Sequence, residues 1–254
     1  MRRWTAILAP TLLVVLLLAL WQGLCWALDV QTYFLPTPLE IATALVQNAP
    51  LLFISAWRTL QTALIAFVVT SLLAGLSAMA AASGRIVEDS FRPLALILQV
   101  TPIVALAPLF QIWAGIDHPA GAVVALACVA AFFPIYSGIL AGLNSADPAL
   151  ERLFDLYDAS RWQKLFRLRV PSAVPQALEG LKVGLGLALV GAVFGEMSAG
   201  AGGEEGLAWR IAEAAHRMET ARSFAALTAL ILIAAIVNIA FRLIEKRALA
   251  WWRG

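Results

Sequence analysis

Between Arg3 and Asp29 the chain runs 25 residues without a charge, and the pattern recurs. The charge-free gaps are 26 residues between Arg58 and Arg85, 24 between Arg92 and Asp117, 28 between His118 and Asp147, and 19 between Arg222 and Arg242. A helix that crosses the roughly 30 Å hydrocarbon core of a bilayer needs about 20 apolar residues. Five segments meet that need outright. A sixth, Val183 to Gly195, is 13 residues long and reaches spanning length if Glu179, Lys182 and Glu196 sit near its ends. The spans are predicted at about 6–28, 56–82, 92–115, 119–143, 176–198 and 223–244. Backbone groups left unpaired in lipid cost several kcal/mol each, so the spans must be helices. A membrane barrel would instead show alternating segments of about 10 residues.

The composition agrees. Charged residues make up 13% of the 254, about half the roughly 25% of a soluble domain. Hydrophobic residues reach 61%, and the mean hydropathy is +0.84. A disordered chain needs the opposite balance. Two cysteines, Cys25 and Cys128, exclude a disulfide scaffold, and they read as small buried hydrophobes. A net charge of +2 gives no footprint for nucleic acid, so none is expected as a partner.

Lysine and arginine fix the expected orientation. With the N-terminus inside, 13 of them fall on the cytoplasmic side: Arg2, Arg3, Arg85 and Arg92, the five of residues 152–169, and Arg242, Lys246, Arg247 and Arg253 at and beyond the inner end of the last span. Four (Arg58, Arg210, Arg217, Arg222) fall outside, and Lys182 lies within a span. Both termini are therefore expected in the cytoplasm. Residues 1–27 are long for a cleaved signal, and Trp21 and Trp26 suit interface anchors, so this segment is expected to stay. Pro102, Pro108 and Pro134 lie inside predicted spans, where they either shape the helices or serve gating.

Three connections carry further signals. In residues 35–50, Thr37 and Glu40 form a capping box around Pro38, opening a short helix along the outer interface. Residues 144–171 form the longest cytoplasmic connection. Asp147-Pro148 opens one helix through about Tyr157, and Asp158-Ala159 makes the turn. Ser160 with Gln163 caps a second helix that Val170-Pro171 is expected to end. Leu150, Leu153, Phe154 and Tyr157 on the first, and Trp162, Leu165, Phe166 and Arg169 on the second, give bulky, largely apolar faces. These either seek a partner or lie back on the membrane. Residues 199–206 are glycine-rich and are expected to be flexible, and Leu207 to Arg222 reads as an amphipathic outer helix with Trp209 at the interface.

Catalytic signatures are missing. No phosphate loop, His-Glu-x-x-His or Cys-x-x-Cys occurs. The two histidines, His118 and His216, both fall in outer segments. The deep polar residues Gln61, Gln99, Thr101, Gln111 and Asn238 are neutral, and no acid pair for a proton relay is present. Glu196 is read either as a solvated carboxylate at a helix end or as a gate or path-lining group. Glycine pairs at i,i+4 in the fifth span, Gly180 with Gly184 and Gly191 with Gly195, allow close helix approach, within the chain or between subunits. Six spans with neither motor nor coupling charges suggest a subunit of something larger.

Four ordered pieces then identify a family: Phe34-Leu-Pro-Thr-Pro-Leu39, Ala107-Pro-Leu-Phe-Gln-Ile-Trp113, Ala159-Ser-Arg-Trp-Gln163 with Val170-Pro171, and Phe194-Gly-Glu-Met197. Together they resemble the inner-membrane permease subunits of binding-protein-dependent ABC importers. The nearest type is that for nitrate, taurine and sulfonates, which includes permeases for pyrimidine-like vitamin precursors. The resemblance runs from about residue 34 to the C-terminus. It implies an all-α, six-span type I importer fold, with residues 1–34 as an N-terminal helix and outer connection and 35–254 as the permease core. It implies a homodimer in a bacterial inner membrane, a cytoplasmic ATPase dimer, and a periplasmic or extracellular solute-binding protein. The permease itself would hold no cofactor and do no bond chemistry, ATP being used by the partner.

Residues 148–169 would be the coupling helices, with Arg152, Leu153, Phe154, Tyr157, Asp158, Ala159, Ser160, Trp162, Phe166 and Pro171 at the ATPase contact. The family usually carries Glu-Ala-Ala and then a Gly four residues later. Those positions here are Arg152, Leu153, Phe154 and Asp158. Asp tolerates the left-handed turn that the glycine would serve. Path-lining candidates are Gln99, Thr101, Gln111, Tyr136 and Glu196. The alternative is an orphan permease or membrane scaffold that has lost its ATPase.

Overall fold

A computed structural model describes residues 2–115, 119–199 and 205–253. The expectations for His118 and for glycine-rich residues 200–204 fall outside them. Among the described residues there is no strand. The helices are α1 (Arg2–Ala27), α2 (Pro38–Gln47), α3 (Ala49–Ala82), α4 (Arg85–Val100), α5 (Ile103–Ala114), α6 (Pro119–Leu143), α7 (Pro148–Leu156), α8 (Arg161–Lys164), α9 (Val170–Ala199), α10 (Leu207–His216) and α11 (Thr220–Arg253). A π turn, Leu165–Arg169, joins α8 to α9. Among the described residues, four continuous helices are long and apolar enough to cross a membrane: Ala49–Ala82, Pro119–Leu143, Arg161–Ala199 and Thr220–Ala250. Thr11–Ala27 and Ile103–Ala114 are shorter apolar helices.

Three sequence expectations need correction. The span predicted at 92–115 is two helices. Thr101 and Pro102 are extended, with ψ of 124° and 109°, because a residue before proline avoids the helical region and proline donates no N–H. Val170-Pro171 does not end the second coupling helix. The π turn widens the helix just before Pro171, where the ring would otherwise crowd the carbonyl four residues back, so the helix runs through into α9. The outer helix predicted over 207–222 stops at His216. Met218 turns the chain at φ 57°, and α11 starts at Thr220.

The chain divides into two compact units. One comprises residues 58–204 and 232–254, the other residues 1–57 and 205–231. In the first, α6 and α9 run antiparallel with their backbones in contact. A Cβ built on Gly180 would lie 2.7 Å from the Pro134 carbonyl oxygen, and one on Gly138 would lie 2.6 Å from the Gly180 Cα. Further along, Gly142 faces Ala173, Gly184 faces Ile135, Gly191 faces Ala127 and Gly195 faces Val123. The glycine pairs thus serve an intrachain contact with α6. Only glycine lets two helices approach this closely. Alanines of α3 (Ala74, Ala78, Ala81) complete the core with Ala131, Ile135 and Ala188. Cys128 donates its thiol to the Ala66 carbonyl at 3.6 Å, as a small packed residue would.

In the second unit, the Thr37 capping box forms as read. The Thr37 N–H donates to Glu40 at 2.8 Å, and the Glu40 N–H donates to the Thr37 hydroxyl at 3.3 Å. The Thr37 N–H, helped by the Thr32 hydroxyl, holds the Glu40 carboxyl below the usual carboxylate range. The start of α11 is tied in by the Thr220 hydroxyl, which donates to the Tyr33 carbonyl at 2.8 Å.

Candidate functional site

Helices α7 and α8 form a hairpin whose apolar side chains point into solvent. Asp147 caps α7 by accepting the Ala149 N–H at 2.8 Å, and the Ser160–Gln163 box caps α8. Between them the chain turns at Asp158, with φ 50°. The Asp158 N–H donates to the Asp155 carbonyl and the Ala159 N–H to the Phe154 carbonyl, each at 3.0 Å. That is a Schellman cap with aspartate in the left-handed position usually given to glycine. The frame of the turn therefore survives the substitution at this site.

The hairpin is braced from behind. Arg169 grips Glu151 through Nε at 2.9 Å and a second nitrogen at 2.8 Å, and it donates to the Ala82 carbonyl at the end of α3 at 3.2 Å. Lys164 pairs with Asp155. The outward surface then carries Leu150, Leu153, Leu156, Tyr157, Trp162 and Phe166, with Tyr157 79% and Trp162 69% exposed. The Trp162 and Phe166 rings stack at 5.9 Å and 13°. Among the predicted contact residues, Arg152, Asp158 and Ser160 are exposed too, whereas Phe154 and Ala159 are half-buried. Pro171 sits past the hairpin, inside the continuous helix.

Two adjoining clefts open where α4, the start of α5, α6 and α9 meet. One, of about 690 Å³, is lined by Gln99, Phe133, Ser137, Gln176 and Glu179 among others. The other, of about 330 Å³, shares Phe133 and Ser137 and adds Glu88, Tyr136 and Asn144. Tyr136 is 3% exposed, its ring stacks on Phe132 at 5.9 Å and 8°, and its hydroxyl has no hydrogen-bond partner.

The five predicted path residues do not converge. Gln99 and Tyr136 reach these clefts, Thr101 marks the α4–α5 break, and Gln111 is half-buried on α5. Glu196 lies twelve residues beyond the level of Tyr136 on α9, about 18 Å along the axis. It is 4% exposed, so the reading of a solvated carboxylate at a helix end is wrong. The helix continues to Ala199, and residue 196 falls among its buried positions beside Gly195. Sequence reading missed Ser137, Gln176 and Asn144 in the clefts, and the Glu151–Arg169 brace, whose partners are 18 residues apart with no local signature.

On the other unit, α10 presents a charged cluster. Arg210 donates to Glu213 at 2.8 Å and to the buried Ser55 hydroxyl at 3.3 Å, and it also pairs with Glu205. Arg217 adds a contact to Glu213 at 2.9 Å. The Arg210 hydrogen bond, with the surrounding guanidinium charges, holds the Glu213 carboxyl below its ordinary range.

Comparison with known proteins now bears on this geometry. The family described as the binding-protein-dependent transport system inner membrane component matches residues 71–249, well over half of the chain. The formylaminopyrimidine transport permease protein of Halalkalibacterium halodurans is 30% identical over 99% of this chain and 98% of its own length. The riboflavin transport system permease protein of Chloroflexus aurantiacus is 30% identical over 98% of this chain and 91% of its own. The taurine transport system permease protein of Escherichia coli is 27% identical over 92% and 86%. The chain belongs to this family: it is a multi-pass inner-membrane permease subunit of a binding-protein-dependent ABC importer for a small solute.

Proposed function

We propose that the chain works as one half of a permease homodimer. It threads the bilayer six times with both termini in the cytoplasm, the α4–α5 pair serving as the third crossing. The α7–α8 hairpin inserts into a groove of a cytoplasmic ATPase, in the manner of an apolar helix laid in a complementary cleft. ATP binding draws the two hairpins of the dimer together and closes the inner side of the path, and release reopens it. Transport of this kind needs contacts that differ between two arrangements.

The observation that carries this reading is the hairpin itself. Six large apolar side chains stand in solvent on a support pinned by two ion pairs. A surface that only lay against lipid headgroups would have no need of that bracing. The same bracing, with the intact turn at Asp158, speaks against an uncoupled scaffold. The bulk of Leu153 and Phe154 calls for a matching, wider groove on the ATPase.

Gln99 and Tyr136 are the solute contacts this reading favours. Polar groups on membrane-spanning helices are costly against lipid, so two adjoining clefts, one lined by Gln99, Ser137 and Gln176 and the other by Ser137 and Tyr136, suit a water-filled path. The solute is a small organic molecule of the pyrimidine-precursor, flavin or sulfonate kind, by analogy with the relatives. Helix α2 and the α10 cluster would meet the solute-binding protein.

The test is co-purification. Leu153→Asp and Trp162→Asp should each cut the ATPase retained on the purified permease at least tenfold, while the permease still inserts. Retention equal to that of the unaltered chain would overturn the docking role of the hairpin.

A further inference from the structure

The root of the hairpin, where the π turn runs into α9, holds two prolines four residues apart, Pro171 and Pro175. In an α-helix the N–H of residue 175 would bond the carbonyl of residue 171. Pro175 has no N–H to give. The Pro171 carbonyl is taken up from another helix: the Trp252 indole Nε1 donates to it at 2.7 Å. Trp252 is near the end of α11, 81 residues away. Seven residues earlier on α11, and so on nearly the same face, Glu245 pairs with Lys182 of α9 at 3.2 Å. Helix α11 is thus fixed to α9 at one level and reaches the base of the hairpin with a single hydrogen bond at another. Pro171 and Trp252 are both solvent-accessible, so this bond can open to water without stranding a buried polar group.

We infer that Trp252 is a positioning residue for the coupling hairpin. Its indole clasps the end of α11 to the one backbone carbonyl that Pro175 leaves free. Movement delivered to residues 148–169 is then carried into α11 together with α9. The second part of this rests on the reading that the hairpin meets the ATPase; the clasp itself does not.

The experiment is a distance measurement between spin labels at Arg161→Cys and Ala250→Cys, both exposed positions. Cys25 and Cys128 are replaced by alanine, and labelled chain is diluted with unlabelled chain. In the permease alone, the clasped chain should give one narrow distance. Trp252→Phe keeps an aromatic ring but loses the donor, and should raise the population outside that peak about two- to tenfold, the range for one solvent-accessible hydrogen bond. Trp252→Tyr, likewise without a donor at the indole position, should do the same, and it serves if the phenylalanine variant inserts poorly. Distributions that match the clasped chain for both variants would overturn the clasp.

In the complex with the ATPase trapped by ATP and vanadate, the same distance should stay fixed in the clasped chain and shift in Trp252→Phe. A shift of equal size in both would overturn the transmission role. If the ATPase does not co-purify at all, the docking reading fails while the measurement on the permease alone still decides the clasp.

Discussion

Asp158 sits at the one bend where the family pattern asks for glycine, and the chain keeps the bend. The left-handed region costs an ordinary L-residue roughly 1–2 kcal/mol, less for Asp and nothing for Gly. Asp158→Gly should therefore stabilise the hairpin by up to about 1 kcal/mol, seen as a higher unfolding temperature of the purified chain. Asp158→Val should lower it, and equal temperatures for the two would contradict the strained geometry. The turn was legible because Asp is among the few residues that tolerate it. The same cap recurs with Met218 at the end of α10, and that one had no signal in the sequence, since methionine announces no turn.

Glu213 gives a pH prediction with a definite sign. Its folded pKa is depressed, so its contribution is present at neutral pH and is lost as pH falls through that lowered value. Unfolding temperature should drop on acidification below the ordinary carboxylate range. Glu213→Gln should flatten that dependence; an unchanged slope would show that the Arg210 contact adds nothing.

Among the elements, the α6–α9 seam makes the sharpest demand. Gly180→Ala places a methyl on the Pro134 carbonyl and the Gly138 backbone, where nothing flexible can yield. Overpacking of this kind costs about 1–3 kcal/mol, or more against rigid backbone. Gly186, on the same helix, has nothing within 4 Å of its would-be Cβ, so Gly186→Ala should be neutral or mildly stabilising. Unfolding temperatures of the two variants decide the point, and equal losses would mean the seam is not where the packing places it. The i,i+4 glycines announced close packing. They could not name the partner, because the matching Gly138 and Gly142 lie some forty residues earlier and follow no pattern with them. The break in the span predicted at 92–115 is half visible in the sequence: Pro102 announces a kink, but a mean hydropathy count passes over an extended dipeptide.

For the whole molecule, apolar segment lengths were enough to find α1, α3, α6, α9 and α11, because a bilayer sets length and composition together, but not their ends: α3 begins seven residues before the predicted span and α11 runs nine residues past it. The spatial gathering of Gln99, Tyr136 and Ser137 was not legible, since it depends on how helices rotate against one another. The threading has its own test. A cysteine at Gln163, in a chain without Cys25 and Cys128, should resist an impermeant thiol reagent on intact cells and react once the membrane is opened. Labelling from outside would reverse the assignment of sides.

The interlock of α6 with α9 also limits how the molecule can rearrange. With bare backbone wedged against bare backbone at Gly138, Gly180 and Gly191, sliding by even one residue, about 1.5 Å, would drive a side chain into a main chain. The two rods must travel as a single plank. Any change in the shape of the channel is left to neighbours with looser joints, foremost the pieces on either side of Thr101 and Pro102.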